Sequence, residues 1–308
     1  MSKKPIIAVL IPCFNEEIAI KRVIQDFQSS IPDADIYVFD NNSSDQTVQV
    51  AKSSGAEVRN VAMQGKGNVV RRMFADIEAD AYVLVDGDGT YSAESAPQMI
   101  NLMFEQNYDM VVARRRTEDE NAYRNGHVLG NWFLTEFVAR LFGRSFEDIL
   151  SGYRVFSRRY VKSFPAIASG FEIETELTIH ALELRMPIME VDSAYISRCE
   201  GSFSKLNTYK DGFLILTTIF NLYRLERPLL FFGVLGLSFI VGAGSLAIPV
   251  IETYLVTGYV PRLPTAVLVT GLCIVGFLSF LCGLVLDTVT RGRHEFKRLI
   301  YLQIPAPK

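Results

Sequence analysis

Cysteine, histidine and excess charge of either sign are scarce in this sequence of 308 residues. The four cysteines are scattered, and their spacing fits neither a disulfide framework nor a zinc site, so we expect a reducing compartment. The net charge of −3 provides no basic excess, which argues against a nucleic-acid partner. A Ser-His-Asp set for acyl-transfer hydrolysis is not credible either, because the only histidines are His127, His180 and His294.

Glycine-rich phosphate-binding motifs are also missing. Neither G-x-x-x-x-G-K-[ST] nor G-x-G-x-x-G occurs, which removes the P-loop and dinucleotide-binding classes. The short run Gly65-Lys66-Gly67 fits neither motif. Lys66 at a helix start can still meet a phosphate as a point charge, and a solvated lysine in a turn is the open alternative.

Long uncharged runs are absent from residues 1–207 and are concentrated near the end of the chain. Leu229–Ile251 and Thr265–Leu286 are about 23 and about 22 residues long, and each is enough to cross a hydrocarbon core of about 30 Å. We therefore predict transmembrane helices over 229–251 and 265–288, joined by a non-cytoplasmic loop over 252–264.

Basic residues flank the outer ends of the two uncharged runs. Arg224 and Arg227 precede the first run, and several arginines and a lysine follow the second, whereas the intervening loop holds only Arg262. The positive-inside rule then places both ends in the cytoplasm. The expected protein is multi-pass in the cell (inner) membrane, with a cytoplasmic domain over 1–207 and a cytoplasmic tail over 289–308.

The segment 208–228 joins the predicted cytoplasmic domain to the first span. It mixes apolar with charged residues, as an amphipathic helix at the membrane interface does. An ordinary amphipathic core helix fits the pattern equally well, so both interpretations stay open.

Short apolar runs alternate with helical periodicity through residues 1–207, which predicts an α/β domain built on a sheet. The first apolar run, close to the N-terminus, is interpreted as a strand because no cleavage site of small residues follows it. The predicted strands are Ile6–Ile11, Ala34–Phe39, Glu57–Val61, Ala81–Val85 and Met110–Ala113. The predicted helices are Glu17–Ser30, Gln46–Ser54, Gly65–Asp76 and Ser95–Gln106.

Acidic residues follow three of these strands, and ligands of such sheets bind beyond the carboxyl ends of the strands. Glu16 follows the first strand, Asp40 the second, and Asp86-Gly87-Asp88 the fourth. Asp86 and Asp88 share one face of an extended chain, which suits Mg²⁺ or Mn²⁺ bound with substrate phosphates. Acidic glycine turns are common in loops, but the position of this one beside two other acidic loops favours the metal.

The order and spacing of these motifs resemble a known family, the GT-A glycosyltransferases of family 2. The resemblance is carried by Ile11-Pro12, Asn15-Glu16, the loop from Asp40 to Thr47, Gly65-Lys66-Gly67 and Asp86-Gly87-Asp88. Further motifs resemble the polyprenyl-phosphate branch, which includes dolichyl-phosphate mannose synthases and bactoprenol glucosyltransferases. These are Ser151-Gly152-Tyr153-Arg154, the segment from Phe171 to Glu176, and the segment from Arg198 to Leu206.

The resemblance implies a GT-A (Rossmann-like) catalytic domain with interfacial helices and two C-terminal transmembrane helices. It implies a nucleotide-sugar donor, a polyprenyl phosphate acceptor, and Mg²⁺ or Mn²⁺ held by Asp86 and Asp88. The implied donor site comprises Pro12, Asn15, Glu16, Asp40, Lys66 and Asp86. The implied acceptor and diphosphate residues are Arg115, Arg124, Arg154, Ser204 and Lys205.

Arg198, Ser204 and Lys205 lie in one polar loop just before the predicted interfacial segment. Since a lipid phosphate sits at that level, we predict that the three residues form part of an acceptor-phosphate clamp. The alternative is a basic patch that only attracts anionic lipid, worth about 1 kcal/mol per positive charge.

Two departures from the family pattern are visible. The second loop begins Asp40-Asn41-Asn42 where the family often has Asp-Asp-Gly, which leaves the choice of nucleobase open. Ala113-Arg114-Arg115 stands in place of a common Gly-Ser-Arg, which leaves the roles of the two arginines open.

A strong general base is not required by the implied reaction, because a phosphate monoester is already anionic near neutral pH. The protein must hold the acceptor in line and neutralise the departing diphosphate, with inversion implied by the resemblance. Asp88 is expected to act in catalysis through the metal. Asp148 is the candidate if a carboxylate assists, and helix capping or pairing with an arginine explains it as well.

The expected donor is UDP-glucose with undecaprenyl phosphate as acceptor, and GDP-mannose is the alternative. A processive polysaccharide synthase is disfavoured, since it needs more spans and a Q-x-x-R-W-type motif that this sequence lacks. An inactive membrane scaffold is the non-enzyme alternative, which the intact Asp86 and Asp88 disfavour. The expected partners also include the lipid bilayer and further copies of the chain in a homo-oligomer, but no nucleic acid.

Overall fold

A computed structural model of the chain describes residues 4–116, 136–140, 146–167, 170, 172–198, 217 and 220–307. The chain divides into two compact units. The first comprises Met1–Ile215 with Phe296–Lys308, and the second comprises Leu216–Glu295.

The first unit is an α/β fold around a seven-stranded mixed sheet in the order β3-β2-β1-β4-β6-β5-β7. Strand β6 runs antiparallel to both its neighbours, and the other neighbouring pairs are parallel. The strands are β1 (Ile7–Cys13), β2 (Asp35–Asp40), β3 (Glu57–Asn60), β4 (Ala81–Leu84), β5 (Met110–Arg116), β6 (Arg154–Ser157) and β7 (Ile188–Ala194). The helices are α1 (Ile20–Ser30), α2 (Thr47–Ser53), α3 (Lys66–Asp76), α4 (Ala96–Glu105), α5 (Arg158–Ser163) and α6 (Ile173–Glu183).

The predicted α/β alternation is confirmed for the first five strands and the first four helices, with shifts of a few residues at the ends. Strands β6 and β7 were not predicted. All four residues of β6 are buried, so the strand lacks the alternation of polar and apolar residues that marks a half-exposed strand, and its first residue is Arg154.

Helix α1 illustrates how the sheet is covered. Its buried residues Ile20, Val23, Ile24 and Phe27 recur at helical spacing and form one apolar stripe. Phe27 meets Tyr153 edge to face, with ring centroids 5.8 Å apart. Burial of each such side chain contributes about 1.5–3 kcal/mol, which fixes the helix over the sheet and leaves the carboxyl ends of β1, β2 and β4 open at one edge.

The C-terminal residues Phe296–Lys308 pack as part of the first unit. The Tyr301 hydroxyl donates to the fully buried Asp109 Oδ2 over 2.7 Å, and Arg159 Nη2 donates to the same oxygen over 2.8 Å. Lys297 Nζ lies 2.6 Å from Glu183 Oε2. These buried polar contacts make the predicted tail over 289–308 a helix that continues to Gln303 rather than a loose end.

The second unit contains two long helices, α7 (Pro228–Thr257) and the part of α8 (Leu263–Gln303) that ends at Glu295. Both helices are long and apolar enough to cross a membrane, and the predicted spans 229–251 and 265–288 lie within them. They touch at glycines, since a Cβ on Gly236 would lie 2.6 Å from the Gly276 carbonyl oxygen. Close helix contact through small residues is typical of membrane helices.

Differences from the predicted domain scheme lie at the helix ends. Helix α7 continues beyond Ile251 and ends at Thr257, and the next residue, Gly258, has a φ of 75° that suits glycine just after a helix. The predicted loop over 252–264 is therefore mostly helical. Of the predicted interfacial segment 208–228, most residues lie outside the described part of the chain, and residues 220–226 are helical.

Candidate active site

The loops after β1 and β2 are joined by hydrogen bonds at the open edge of the sheet. Asn15 Oδ1 accepts from the Ser44 amide over 2.8 Å, and the Asn15 amide donates to Ser43 Oγ over 2.9 Å. The amide of the buried Glu16 donates to Thr47 Oγ1 over 2.8 Å. Asn15 has a φ of 54°, a left-handed conformation that asparagine tolerates better than most residues. Asn15 and Glu16 thus shape the predicted donor site, just after Pro12 in β1.

Asp40 is the last residue of β2, lies at the same edge of the sheet and is buried. Its Oδ2 accepts from the Ser43 amide over 3.1 Å. Its Oδ1 is buried without a hydrogen-bond partner among the described residues. A buried acceptor left unpaired costs about 1–3 kcal/mol of stability. This oxygen could therefore accept a hydrogen bond from an N–H group of a ligand.

The two asparagines of the second loop have structural roles. Asn41 Nδ2 donates to the carbonyls of Val61 and Met63, and Asn41 Oδ1 accepts from the Gly65 amide over 2.7 Å. Asn42 has a φ of 65°, which explains why a glycine is acceptable at this position. Asn41 therefore ties the end of β2 to the turn that starts α3 and so fixes Lys66.

Lys66 lies between two carboxylates. Its Nζ is 2.5 Å from Asp86 Oδ1 and 2.5 Å from Glu174 Oε1. Burial alone would lower the pKa of Lys66, but the two carboxylates outweigh it and raise the pKa above its ordinary value. Lys66 is therefore a permanently charged group at this edge, and the alternative of a solvated lysine in a turn is wrong.

Two glycines give the Asp86-Gly87-Asp88 turn its close contacts. A Cβ on Gly87 would lie 2.6 Å from Cys13 Sγ, and a Cβ on Gly152 would lie 2.2 Å from Asp86 Oδ2. The turn can therefore approach β1 and the start of β6 only because both residues lack a side chain. The glycines of the D-G-D and S-G-Y-R motifs thus both allow close packing around Asp86.

Asp88 is buried and has partners on both oxygens. Oδ1 accepts from the Thr90 hydroxyl over 2.7 Å and from the Thr90 amide over 3.2 Å. Oδ2 lies 2.7 Å from Arg198 Nη2. Arg198, which was predicted to contact the acceptor, is thus beside the predicted metal site.

Arg115 and Asp148 form a two-point ion pair. Arg115 Nε and Nη2 each lie 2.7 Å from an oxygen of the buried Asp148, and the guanidinium lies over the Tyr195 ring. Both Asp148 oxygens are therefore used, which favours the predicted alternative of pairing with an arginine over a role as base. Arg114 pairs instead with Asp192 and Glu147.

Arg154 is buried completely and does not face the site. Its guanidinium donates to the carbonyls of Ser151 and Ile149 over 2.9 and 2.5 Å, and to Thr178 Oγ1 over 2.8 Å. Burial lowers the pKa of Arg154. Because these donors are directed into the protein, the structure does not support the prediction that Arg154 binds the acceptor or diphosphate.

Three predicted acceptor residues, Arg124, Ser204 and Lys205, lie outside the described residues. One residue that sequence reasoning did not assign is Glu174, which is buried on the first turn of α6 and holds Lys66. In the sequence, Glu174 was indicated only by its place in the segment from Phe171 to Glu176, which resembles the polyprenyl-phosphate branch of the family. Tyr91 was missed as well, and its hydroxyl accepts from the Gly152 amide over 2.9 Å.

The carboxylates at this edge fit a small divalent cation. Asp86 Oδ2 has no hydrogen-bond partner among the described residues, and Asp88 follows two positions later. Mg²⁺ and Mn²⁺ accept one or two carboxylates and complete their shell with water and phosphate oxygens. Asp86 and Asp88 would hold the ion, with positively charged Lys66 and Arg198 beside it.

Known proteins resemble this chain in sequence and in fold. The family model described as Glycosyl transferase family 2 matches residues 8–164. The glycosyltransferase AglJ of Haloferax volcanii is 29% identical over 300 residues, covering 96% of this chain and 98% of that protein. A dolichyl-phosphate hexose transferase of the same organism is 26% identical over 221 residues, covering 72% of this chain and 95% of that protein.

Solved structures share the fold of the first unit. Glucosyl-3-phosphoglycerate synthase from Mycobacterium tuberculosis, crystallised with Mn²⁺, UDP-glucose and glycerol 3-phosphate, matches with a TM-score of 0.57. The two sequences are 23% identical, and the match covers 70% of this chain and 80% of that chain. This likeness shows a GT-A fold.

Proposed function

We propose that this chain, which belongs to glycosyl transferase family 2, transfers a hexose from a nucleotide-sugar to a polyprenyl phosphate at a membrane surface. One observation carries the proposal: the unpaired Asp40 Oδ1 and the Asp86 and Asp88 carboxylates follow β2 and β4, the two strands that flank β1, at the same edge of the sheet. A nucleobase and a metal-bound diphosphate need these two kinds of group. The named activity of the similar dolichyl-phosphate hexose transferase supports the acceptor class.

The donor would lie across the ends of β1, β2 and β4. Asp40 Oδ1 would accept a base N–H, and Asn15 and Glu16 would form the wall beside it. Uracil and guanine both present such an N–H, so this contact fits UDP-glucose, our first choice, and GDP-mannose alike. The identity of the base therefore has to come from a donor panel.

The metal would be held by Asp86 and Asp88 with the donor diphosphate. Bound there, the ion would neutralise negative charge on the departing nucleoside diphosphate. Lys66, fixed by Asp86 and Glu174, would add a positive charge that cannot swing away. A fixed cation stabilises developing charge without the cost of reorganisation.

The reaction needs positioning more than proton transfer. An anionic oxygen of the acceptor phosphate would attack the anomeric carbon as the bond from that carbon to the diphosphate oxygen breaks, with inversion. No proton is taken up or released at the acceptor oxygen, so Asp148 has no proton to accept. Asp148 would instead hold Arg115 in place through its two-point pair.

Membrane attachment would bring the site to the acceptor. The two apolar helices are long enough to span, and their basic flanks favour cytoplasmic ends on both sides. The protein would then be multi-pass in the cell (inner) membrane, with the catalytic domain at the cytoplasmic headgroup level. We also propose a homo-oligomer.

The test is a donor panel with purified, detergent-solubilised protein. UDP-glucose, GDP-mannose and other nucleotide-sugars are offered with undecaprenyl phosphate and Mg²⁺ or Mn²⁺, and the lipid-linked sugar is detected by mass spectrometry. We expect one donor to give a sugar-phosphate-lipid product with release of its nucleoside diphosphate. Transfer to a non-lipid acceptor only, or the absence of turnover with the whole panel, would overturn the proposal.

A further inference from the structure

We propose that Glu190 on β7 is a positioning residue, which holds the turn that carries Asp148 and, through Asp148, fixes the guanidinium of Arg115 for a substrate phosphate. This role rests on the proposed function, in which Asp148 holds Arg115, and on the implied contact of Arg115 with the acceptor phosphate. Glu190 lies outside the sequence motifs quoted above, and it acts through other residues rather than on the substrate.

The turn over residues 146–150 receives the Glu190 carboxylate at two successive amides. The Glu147 amide donates to both oxygens of Glu190 over 3.2 Å, and the Asp148 amide donates to Glu190 Oε1 over 3.2 Å. Hydrogen bonds to an ionised acceptor are roughly twice as strong as bonds between neutral groups. Because β7 is an edge strand of the seven-stranded sheet, these bonds attach the turn to the sheet.

The carbonyl side of the same turn is held by a cation. Arg154 Nη2 donates to the Ile149 carbonyl over 2.5 Å. The turn therefore meets a carboxylate at its amides and a guanidinium at a carbonyl, which restricts the backbone on both sides of Asp148. The buried Asp148 in turn accepts from Arg115 Nε and Nη2, each over 2.7 Å. The position of Arg115 thus depends on how firmly the turn is held.

The charge of Glu190 is matched to this contact. Glu190 is half-buried, and burial raises its pKa, with a further contribution from the charge of Glu147. The two turn amides and the guanidinium of Arg114 counter part of that rise, because they stabilise the ionised form. The amides that Glu190 holds therefore also help to keep it charged.

Two substitutions grade the contact. Glu190→Ala removes both acceptor oxygens, whereas Glu190→Gln keeps one oxygen and loses the charge. Asp192→Asn is the matched control, because Asp192 lies on the same strand, is exposed and pairs with Arg114 and Arg116. It removes a carboxylate charge from the same arginine cluster but leaves the bonds of Glu190 to the turn in place.

The first measurement is amide hydrogen exchange of the peptide from Phe146 to Tyr153, in detergent-solubilised protein without substrate. We expect exchange of this peptide to be fastest in Glu190→Ala and intermediate in Glu190→Gln, with Asp192→Asn close to wild type. Circular dichroism checks that each variant is folded. Exchange in Glu190→Ala as slow as in wild type would show that Glu190 does not hold the turn.

The second measurement is KM for undecaprenyl phosphate, taken with the donor that gives turnover. A smaller folded fraction lowers the apparent kcat and leaves KM unchanged, so KM separates positioning from loss of stability. We expect KM to rise about tenfold in Glu190→Ala, the order of effect of one hydrogen bond to a charged group, and less in Glu190→Gln. Asp192→Asn should stay within about twofold of wild type.

A double-mutant cycle tests whether Glu190 acts through Asp148. Residues that act in series are not additive, so Glu190→Ala should change KM by less than about twofold in an Asp148→Asn background. Effects that multiply in full would refute the route through Asp148, and an unchanged KM in Glu190→Ala would leave Glu190 a structural contact only. If the wild type turns over no donor, the proposed function fails together with the link to a phosphate, whereas hydrogen exchange still decides whether Glu190 holds the turn.

Discussion

Arg154 offers the sharpest test of whether a motif residue serves the ligand or the fold. In Arg154→Met the side chain keeps much of its length and loses its charge and donors. The carbonyls of Ser151 and Ile149 then lose their guanidinium partner inside the protein. We therefore expect loss of stability, with the site chemistry little changed in the protein that remains folded.

The magnitude follows from the contacts. Three hydrogen bonds from a charged donor to oxygen are lost, each worth about 1.5–3 kcal/mol, and removal of a buried charge returns part of that sum. A net loss of about 3–5 kcal/mol is expected. For a unit of this size, 1 kcal/mol shifts Tm by about 2–4 °C, so Tm should fall by about 10 °C.

The assay is thermal unfolding of detergent-solubilised protein, with KM for the acceptor measured well below Tm. Arg158→Met is the matched control, since Arg158 lies four residues further along the chain at the start of α5, is exposed and pairs with exposed Glu78. Its cost should stay below about 1 kcal/mol. An unchanged Tm for Arg154→Met together with a KM raised tenfold or more would refute our assignment and restore Arg154 as a phosphate ligand.

Four further predictions concern the metal, acid stability, topology and acceptor. Asp88→Asn should abolish turnover while leaving the fold intact, as checked by circular dichroism, and full activity in EDTA would contradict the metal role. Burial, with Lys297, lowers the pKa of His180 to about 3, so the unfolded chain binds the proton first as pH falls. The free energy of unfolding should therefore be about 1–2 kcal/mol lower at pH 5 than above pH 6.5. In His180→Gln, Tm should depend less on pH between these two values. A cysteine introduced by Thr257→Cys should be labelled only from the non-cytoplasmic side, and labelling from the cytoplasm would reverse the topology. Lys205→Ala should lower turnover on a short-chain polyprenyl phosphate at unchanged membrane binding, whereas a surface patch predicts weaker binding with normal turnover.

Periodicity predicted the elements that surround the donor side of the site. Strands β1, β2 and β4 are apolar runs followed by turn residues, so their carboxyl ends could be placed at one edge from the sequence. That placement located Asp40, Asp86 and Asp88 together. Strand β6 escaped prediction because it is buried throughout, and a charged residue at its start conceals a core strand.

Partners of the site residues could not be predicted, because they come from distant parts of the chain. Asp148 lies 33 positions from Arg115, and Glu174 lies on a helix remote in sequence from Lys66. Local pattern does not encode such pairs, since they depend on how β5, α3 and α6 are brought together by the sheet. The sequence could therefore name the basic residues of the site, and Asp148 as a candidate for pairing with an arginine, but not which carboxylate holds which cation.

The pairing itself has a physical reason that applies to the whole edge. The side chains of Lys66, Arg115 and Arg198 are 11%, 16% and 30% exposed, and each is matched by at least one carboxylate. A cation held in so little water is costly unless it is paired, which explains why each of these three cations lies beside a carboxylate. The carboxylates then fall into two classes. Glu174 holds Lys66 and Asp148 holds Arg115, whereas Asp86 and Asp88 also belong to the motif that we propose for the metal, and only this second class could be identified from a motif.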